Sequence, residues 1–317
     1  MSKTSITRIL QKIIHQFKTR ILKKQTQAYI FALTAILSWS TVATAFKIAL
    51  MGMNYVHLLA ISSVVAMIFF TILLFFKGDL KLALRSPKSE LIHSALLGFL
   101  NPFLYYFILL KAYSLLSAQL ALSLNYIWPI TLVLLSIPLL KQRIGIKSIA
   151  CILLSFIGVV IIANKGSITS IETPNSLGIA LALGSSIIWA LFWIFNTKDS
   201  RKDLQKLFLN FLFGTIYSLI ALFVLGEFNW PDYKSLGAAI YIGLVECGIA
   251  YIFWLRAMKL TTSTDKIGNL VFLSPFISLF LIHLFIGETI YLSTWVGLAI
   301  IVTGILLQKI TIKKQKV

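Results

Sequence analysis

The sequence predicts an all-α polytopic membrane protein of ten transmembrane helices, arranged as two inverted five-helix repeats. Three observations carry this. Of 317 residues, 58% are hydrophobic and 12% charged, above soluble usage in apolar content and about half of it in charge. Apolar runs long enough to cross a bilayer, which takes about 20 residues, recur along the chain. The second half repeats landmarks of the first at an almost constant offset.

Residues 1–27 form a basic amphipathic segment. Lys3, Arg8, Lys12, Lys18, Arg20, Lys23 and Lys24 face no acid, and Ile6, Ile9, Leu10, Ile13, Ile14, Phe17 and Ile21 recur at helical spacing. That pattern fits a helix lying on the cytoplasmic membrane surface. No uninterrupted apolar core with a small-residue cleavage site follows, so a cleaved secretory signal is not expected, although an organellar presequence would share the charge pattern.

The first repeat, residues 28–164, holds apolar runs near 28–50, 55–76, 91–110, 115–139 and 145–163. The second, residues 175–310, holds runs near 176–197, 207–225, 235–257, 266–286 and 290–309. A basic cytoplasmic tail, residues 311–317, ends the chain. Short loops leave no room for a soluble domain.

Orientation follows from Lys and Arg, which concentrate on the cytoplasmic side. With a cytoplasmic N-terminus, the inner segments hold 25 of them and the outer loops 3, Lys47 within the first helix completing the 29. Both termini are expected in the cytoplasm.

Sliding by 146 places Pro129 on Pro275 and Gly158 on Gly304; 150 places Trp39 on Trp189; 145 places Lys111-Ala112 on Arg256-Ala257. Five helices per unit is an odd number, so the second copy enters the membrane in the opposite sense. Inverted repeats put a solute site near the midplane at their interface and suit alternating access.

The formal charge of +19 does not indicate nucleic acid. The basic residues sit in short loops with no aromatic-interleaved patch, so anionic lipid headgroups are the expected partner. Cys151 and Cys247 lie in apolar runs without ligand spacing, and neither a disulfide framework, a metal nor a cofactor is indicated.

Asn125-Tyr126-Ile127-Trp128-Pro129 interrupts an apolar run from about Leu115 to Leu140. Proline frees the carbonyl four residues back, that of Asn125, and such a group in lipid needs a protein partner or a water-filled cavity. Ala118, Ala121, Asn125 and Trp128 share one face, which reads as a cavity wall or as a kink packed on another helix. A face of the sixth helix carries Ser185, Trp189, Phe192, Trp193 and Asn196, and the third aligns Gly98, Asn101, Tyr105 and Ile108.

An ionisable group at membrane depth is costly unless it faces a cavity or a partner. Glu246 is the clearest case, near the middle of the eighth helix between Gly243 and Ala250. It suits binding of a substrate ammonium or carriage of a coupling proton; the structural alternative is a protonated acid bonded to a neighbouring helix. Lys47, with its long stem, serves equally as an interfacial anchor or a carboxylate contact.

Leu37-Ser38-Trp39-Ser40-Thr41, Asn125-Tyr126-Ile127-Trp128-Pro129, Ile188-Trp189-Ala190 with Asn196, Gly248-Ile249-Ala250-Tyr251 and Ser274-Pro275 resemble the drug/metabolite transporter superfamily of EamA type, in its branch of aromatic amino-acid exporters. The likeness covers about residues 28–310. Glu288 after Gly287 matches an acidic position of that family, whereas the first repeat has Lys141-Gln142 there.

The resemblance implies a central cavity lined by helices 1, 3, 4, 6, 8 and 9. With the residues read above, the expected substrate-binding set is Trp39, Ser40, Asn101, Tyr105, Asn125, Trp128, Pro129, Trp189, Trp193, Asn196, Glu246, Tyr251 and Pro275, Glu246 being the coupling candidate. The expected function is secondary transport of a small metabolite in a bacterial-type inner (plasma) membrane, with an aromatic amino acid exported and protons as candidate coupling ion. Uptake of a metabolite such as S-adenosylmethionine is the alternative. A lipid-modifying membrane enzyme would need clustered carboxylates, histidines or a nucleophile with its base, and a non-cycling channel would show flux without saturation. No enzyme activity is expected, and no oligomeric state is indicated.

Overall fold

The computed structural model describes residues 3–140, 146–163, 175–225, 230–261 and 270–314. Helix α1 runs unbroken over Lys3–Gly52, so the basic segment continues into the first apolar span. There follow α2 (Tyr55–Phe76), the short α3 (Leu80–Leu84), α4 (Lys88–Gly98), a π-helical turn (Phe99–Leu104) and α5 (Tyr105–Leu115). Helices α6 (Ala118–Asn125), α7 (Trp128–Leu140) and α8 (Ile146–Ala163) complete the first half.

The second half holds α9 (Ser176–Lys198), α10 (Asp203–Leu225), α11 (Tyr233–Tyr241), a π-helical stretch (Ile242–Ala250) and α12 (Tyr251–Leu260). A 3-10 turn (Leu270–Leu273), α13 (Ser274–Ile286) and α14 (Leu292–Lys314) follow. The linker, residues 165–174, lies outside the described residues.

Among the described residues, six helices are long and apolar enough to cross a membrane: Lys24–Gly52, Tyr55–Phe76, Lys88–Leu115, Ser176–Asn196, Asp203–Leu225 and Tyr233–Leu260. Leu270–Ile286 and Leu292–Leu307 are shorter apolar helices. Each long span buries about half of its most apolar window. The other side, with residues such as Phe76 and Phe223, is exposed.

Repeat symmetry is visible in the close approaches. Helices α8 and α14 cross where Gly158 meets the Gly297 carbonyl and Gly304 meets that of Cys151, the same contact made twice at an offset of 146 or so. Gly98 packs against the Asn210 carbonyl on α10, and Gly243, 145 positions later, packs against that of Ser62 on α2. Small residues let helix backbones approach where lipid offers no hydrophobic drive for association.

The interruptions are paired as well. Asn101 has extended dihedrals (φ −151°, ψ 123°), which break the helix before Pro102, and the corresponding span of the second half carries the π-helical stretch around Glu246. The expected single helix over residues 115–139 is two helices: α6 ends at Asn125, Tyr126 and Ile127 form a turn, and α7 starts at Trp128. Proline at position 129 offers no N–H to the Asn125 carbonyl, so the ladder cannot continue.

The two ends of the bundle are fastened differently. At the Asp199 end, Arg201 bonds the Asp199 carboxylate and donates to the Glu90 carbonyl at 3.2 Å, tying the α9–α10 loop to α4. Burial pushes the Asp199 carboxyl up, but Arg201 and Lys206 outweigh it, and the net position lies below the usual carboxylate range. At the Gly52 end, Gly287 closes α13 with φ 76° and turns the chain so that Glu288 accepts from the Ala118 N–H at 2.8 Å.

Candidate functional site

A cavity of about 250 Å³ lies where α1, α5, α6, α7, α9, the π-helical stretch and α12 converge. Its walls include five indoles, Trp39, Trp128, Trp189, Trp193 and Trp254, the phenols Tyr105, Tyr113 and Tyr126, and one acid, Glu246. The rings are ordered by mutual contact. Trp189 lies 4.6 Å from Tyr105 and at right angles to Tyr251; Trp39 lies 5.3 Å from Trp254.

Polar groups are few and bonded across helices. Tyr105 Oη donates to Asn125 Oδ1 at 3.4 Å, and Asn125 Nδ2 donates to Ser185 Oγ at 2.9 Å, so α5, α6 and α9 share one chain of bonds. Asn125 can present its side chain because it ends α6. Glu246 is buried; its Oε1 accepts from Tyr106 Oη at 2.9 Å, and its Oε2 is buried with no partner among the described residues. No ion pair involves it among the described residues.

Of the sequence-predicted site residues, the structure brings Trp39, Tyr105, Asn125, Trp128, Trp189, Trp193 and Glu246 to the cavity wall. Five others stand elsewhere. Ser40 Oγ donates to the Ile36 carbonyl and lies 3.1 Å from Ser274 Oγ, fastening α1 to α13. Pro275 is buried in the first turn of α13, where its missing N–H costs nothing. The Asn196 carbonyl accepts from Lys206 Nζ at 3.1 Å at the Asp199 end, away from the cavity.

Asn101 and Tyr251 are buried behind the wall and bond each other, Asn101 Nδ2 to Tyr251 Oη at 3.0 Å. The expected face Gly98–Asn101–Tyr105 fails because the extended residue at Asn101 rotates α5 relative to α4. The side chain of Pro129 lies outside the described residues. Lys47 forms no ion pair among the described residues; it donates to the carbonyls of Tyr113 and Leu116 at the end of α5.

Sequence reading missed Tyr106, Tyr113, Tyr126 and Trp254. Tyr126 sits within the quoted motif, and Trp254 follows Tyr251 by three residues, so both were within reach of helical spacing. Tyr106 was hidden by the break at Asn101.

Similarity to known proteins bears on the two-repeat architecture. The EamA-like transporter family model matches residues 26–164 and again 176–308, one copy per half. An uncharacterized transporter of Clostridium kluyveri is 28% identical over 182 residues, 56% of this chain and 58% of that protein. The uncharacterized transporter YvbV of Bacillus subtilis is 26% identical over 240 residues, 74% of this chain and 76% of that protein. A solved structure superposes with a TM-score of 0.66 at 21% identity, covering 92% of this chain and 99% of the other, which establishes the fold alone.

The chain therefore belongs to the EamA-like transporter family. It is an integral membrane protein and a transporter of small molecules, built of two repeats of that family's unit.

Proposed function

We propose that this protein is a secondary transporter of ten transmembrane helices that exports an amino acid with an aromatic side chain by alternating access, with both termini in the cytoplasm of a bacterial-type inner membrane. The observation that carries the reading is the cavity wall: five indoles and three phenols around a single acid and the Asn125 amide. Ring faces would enclose a flat side chain, while Glu246 holds the ammonium and Asn125 the carboxylate. Direction rests on the resemblance of Asn125-Tyr126-Ile127-Trp128-Pro129 to the exporter branch.

Glu246 is the coupling candidate, because a lone buried carboxyl at membrane depth can hold or release one proton as its surroundings change. Uptake of a larger cation such as S-adenosylmethionine is the second reading, favoured by the same acid among aromatic faces. Size favours the amino acid: about 250 Å³ lies below the roughly 300–1,000 Å³ of sites for drug-sized ligands.

Competition in proteoliposomes tests the assignment. Unlabelled phenylalanine, tyrosine or tryptophan should suppress counterflow of a labelled aromatic amino acid. Suppression by S-adenosylmethionine alone would end the exporter reading.

A further inference from the structure

The two hydrogen bonds at the centre of the molecule are one contact made twice. Asn101 in the first repeat and Glu246 in the second stand 145 positions apart, and so do Tyr106 and Tyr251. Asn101 donates to Tyr251 at 3.0 Å, and Tyr106 donates to Glu246 at 2.9 Å. Each residue of the first repeat thus bonds the counterpart of its partner's twin, as a two-fold axis requires. Even the leftovers match: Asn101 Oδ1 and Glu246 Oε2 are both buried with no partner among the described residues.

Inverted repeats open one side and close the other when their conformations are exchanged. That exchange turns each arm of this contact into the other, and because both arms are closed at nearly equal length, both remain closed. The contact therefore marks a place that does not open. The arms differ in chemistry alone: one is an amide and never titrates, the other is a carboxyl.

Resting on the transporter reading, we propose that these four residues form the fixed pivot between the repeats and that Tyr106 is the positioning residue through which the pivot responds to a proton on Glu246. The ionised carboxylate accepts from Tyr106, whereas the protonated one carries its own donor and competes for new partners. Facing Glu246 are Tyr105, Tyr106 and Tyr113 of α5, Tyr126 of the α6–α7 turn, and Cys247 and Tyr251 on its own span. The elements packed around it add Lys47 on α1, held by two carbonyls, Tyr55 and His57 on α2, and Tyr241, bonded to Thr41. None offers a carboxylate that would share the proton.

Tryptophan emission of the full-length protein in lipid nanodiscs reads this without any solute, since Trp189 touches both Tyr105 and Tyr251. Wild type should titrate with one midpoint, and Glu246→Gln should abolish the titration. Tyr106→Phe removes the donor to the carboxylate and should raise the midpoint by about one pH unit, while Tyr251→Phe leaves it within a few tenths. The isosteric exchange Asn101→Asp with Glu246→Gln moves the acid to the other arm; titration should return, now shifted by Tyr251→Phe and not by Tyr106→Phe.

Equal shifts from the two phenylalanine variants, or a titration that survives in Glu246→Gln, would overturn the proposal. The single variants decide it even where the exchanged protein does not fold. Flux is not measured, so failure of the transport reading leaves these outcomes intact, and the reverse.

Discussion

The centre of the bundle and its Gly52 end are built on opposite plans. At the centre the same contact occurs on both sides of the repeat axis, Asn101 with Tyr251 and Tyr106 with Glu246. At the Gly52 end the fastening joins charged side chains to helix ends. Lys47 holds the carbonyls that end α5, and Glu288 holds the amides that begin α6. Each charge meets the helix terminus of opposite polarity.

The counterparts of Lys47 and Glu288, at the offsets of 150 and 146, are Thr197 and Gln142, neither of which is charged. On the proposed alternating-access reading, the contact made alike by both repeats would persist through the cycle, and the charged contacts of the Gly52 end are the ones expected to open.

The largest expected effect would break the symmetry in packing. Leucine at Gly98 or at Gly243 would drive a side chain into the Asn210 or the Ser62 carbonyl. Overpacking costs about 1–3 kcal/mol even where side chains can give way, and backbone gives way less. Both variants should fail to yield a monodisperse, folded protein by size-exclusion chromatography, and to the same degree. Tolerance at one site alone would show that the two crossings are not equivalent.

The clasp at the Gly52 end gives the next effect. Hydrogen bonds to charged groups are worth about 1.5–3 kcal/mol, so Lys47→Ala or Glu288→Gln should favour opening of that end by roughly tenfold or more. A cysteine at Leu122, on the cavity wall, placed in a background lacking Cys151 and Cys247, should then react correspondingly faster with an impermeant thiol reagent from the Gly52 side. Unchanged reactivity would mean that the clasp is not what keeps that end shut. Reaction only from the opposite side of sealed cells would reverse the orientation expected from the Lys and Arg distribution.

The smallest effect concerns the Asp199 end. The Asp199 carboxyl is buried, which raises it, yet its bonds from Arg201 and the nearby Lys206 bring it below the usual range. A lowered acid stabilises the fold above its ordinary pKa, about 3.9, and that contribution fades as pH falls through the lowered value. Asp199→Asn should therefore reduce the unfolding temperature at pH 7 by a few degrees, and the gap to wild type should narrow below about pH 4. A gap independent of pH would place the loss in packing.

How much of this could be read from the chain divides along similar lines. The repeats and six of the expected spans were legible because periodicity and hydropathy are local properties of sequence. Trp189 was legible because a helical face carries it to one side, whereas Trp128 begins a new helix after the Tyr126-Ile127 turn and was legible only as part of the Asn125–Pro129 motif. The pairing of Asn101 with Glu246 was not, although the offset that aligns Lys111 with Arg256 also aligns these two. An amide and an acid do not look alike in a repeat comparison. Tyr106 was hidden because the extended residue at Asn101 resets the phase of the helix, and a face counted across it selects Tyr105. Lys47 found carbonyls, and backbone partners leave no mark in a sequence.

One measurement reaches the central claim, that this is an alternating-access carrier with its proton response in the second repeat. It is counterflow of a labelled aromatic amino acid in proteoliposomes across a range of pH, for wild type and Glu246→Gln side by side. The account predicts saturable, pH-dependent exchange in wild type and either no exchange or a flat pH profile in the variant. Flux without saturation or counterflow, or a variant that keeps the wild-type profile, would contradict it.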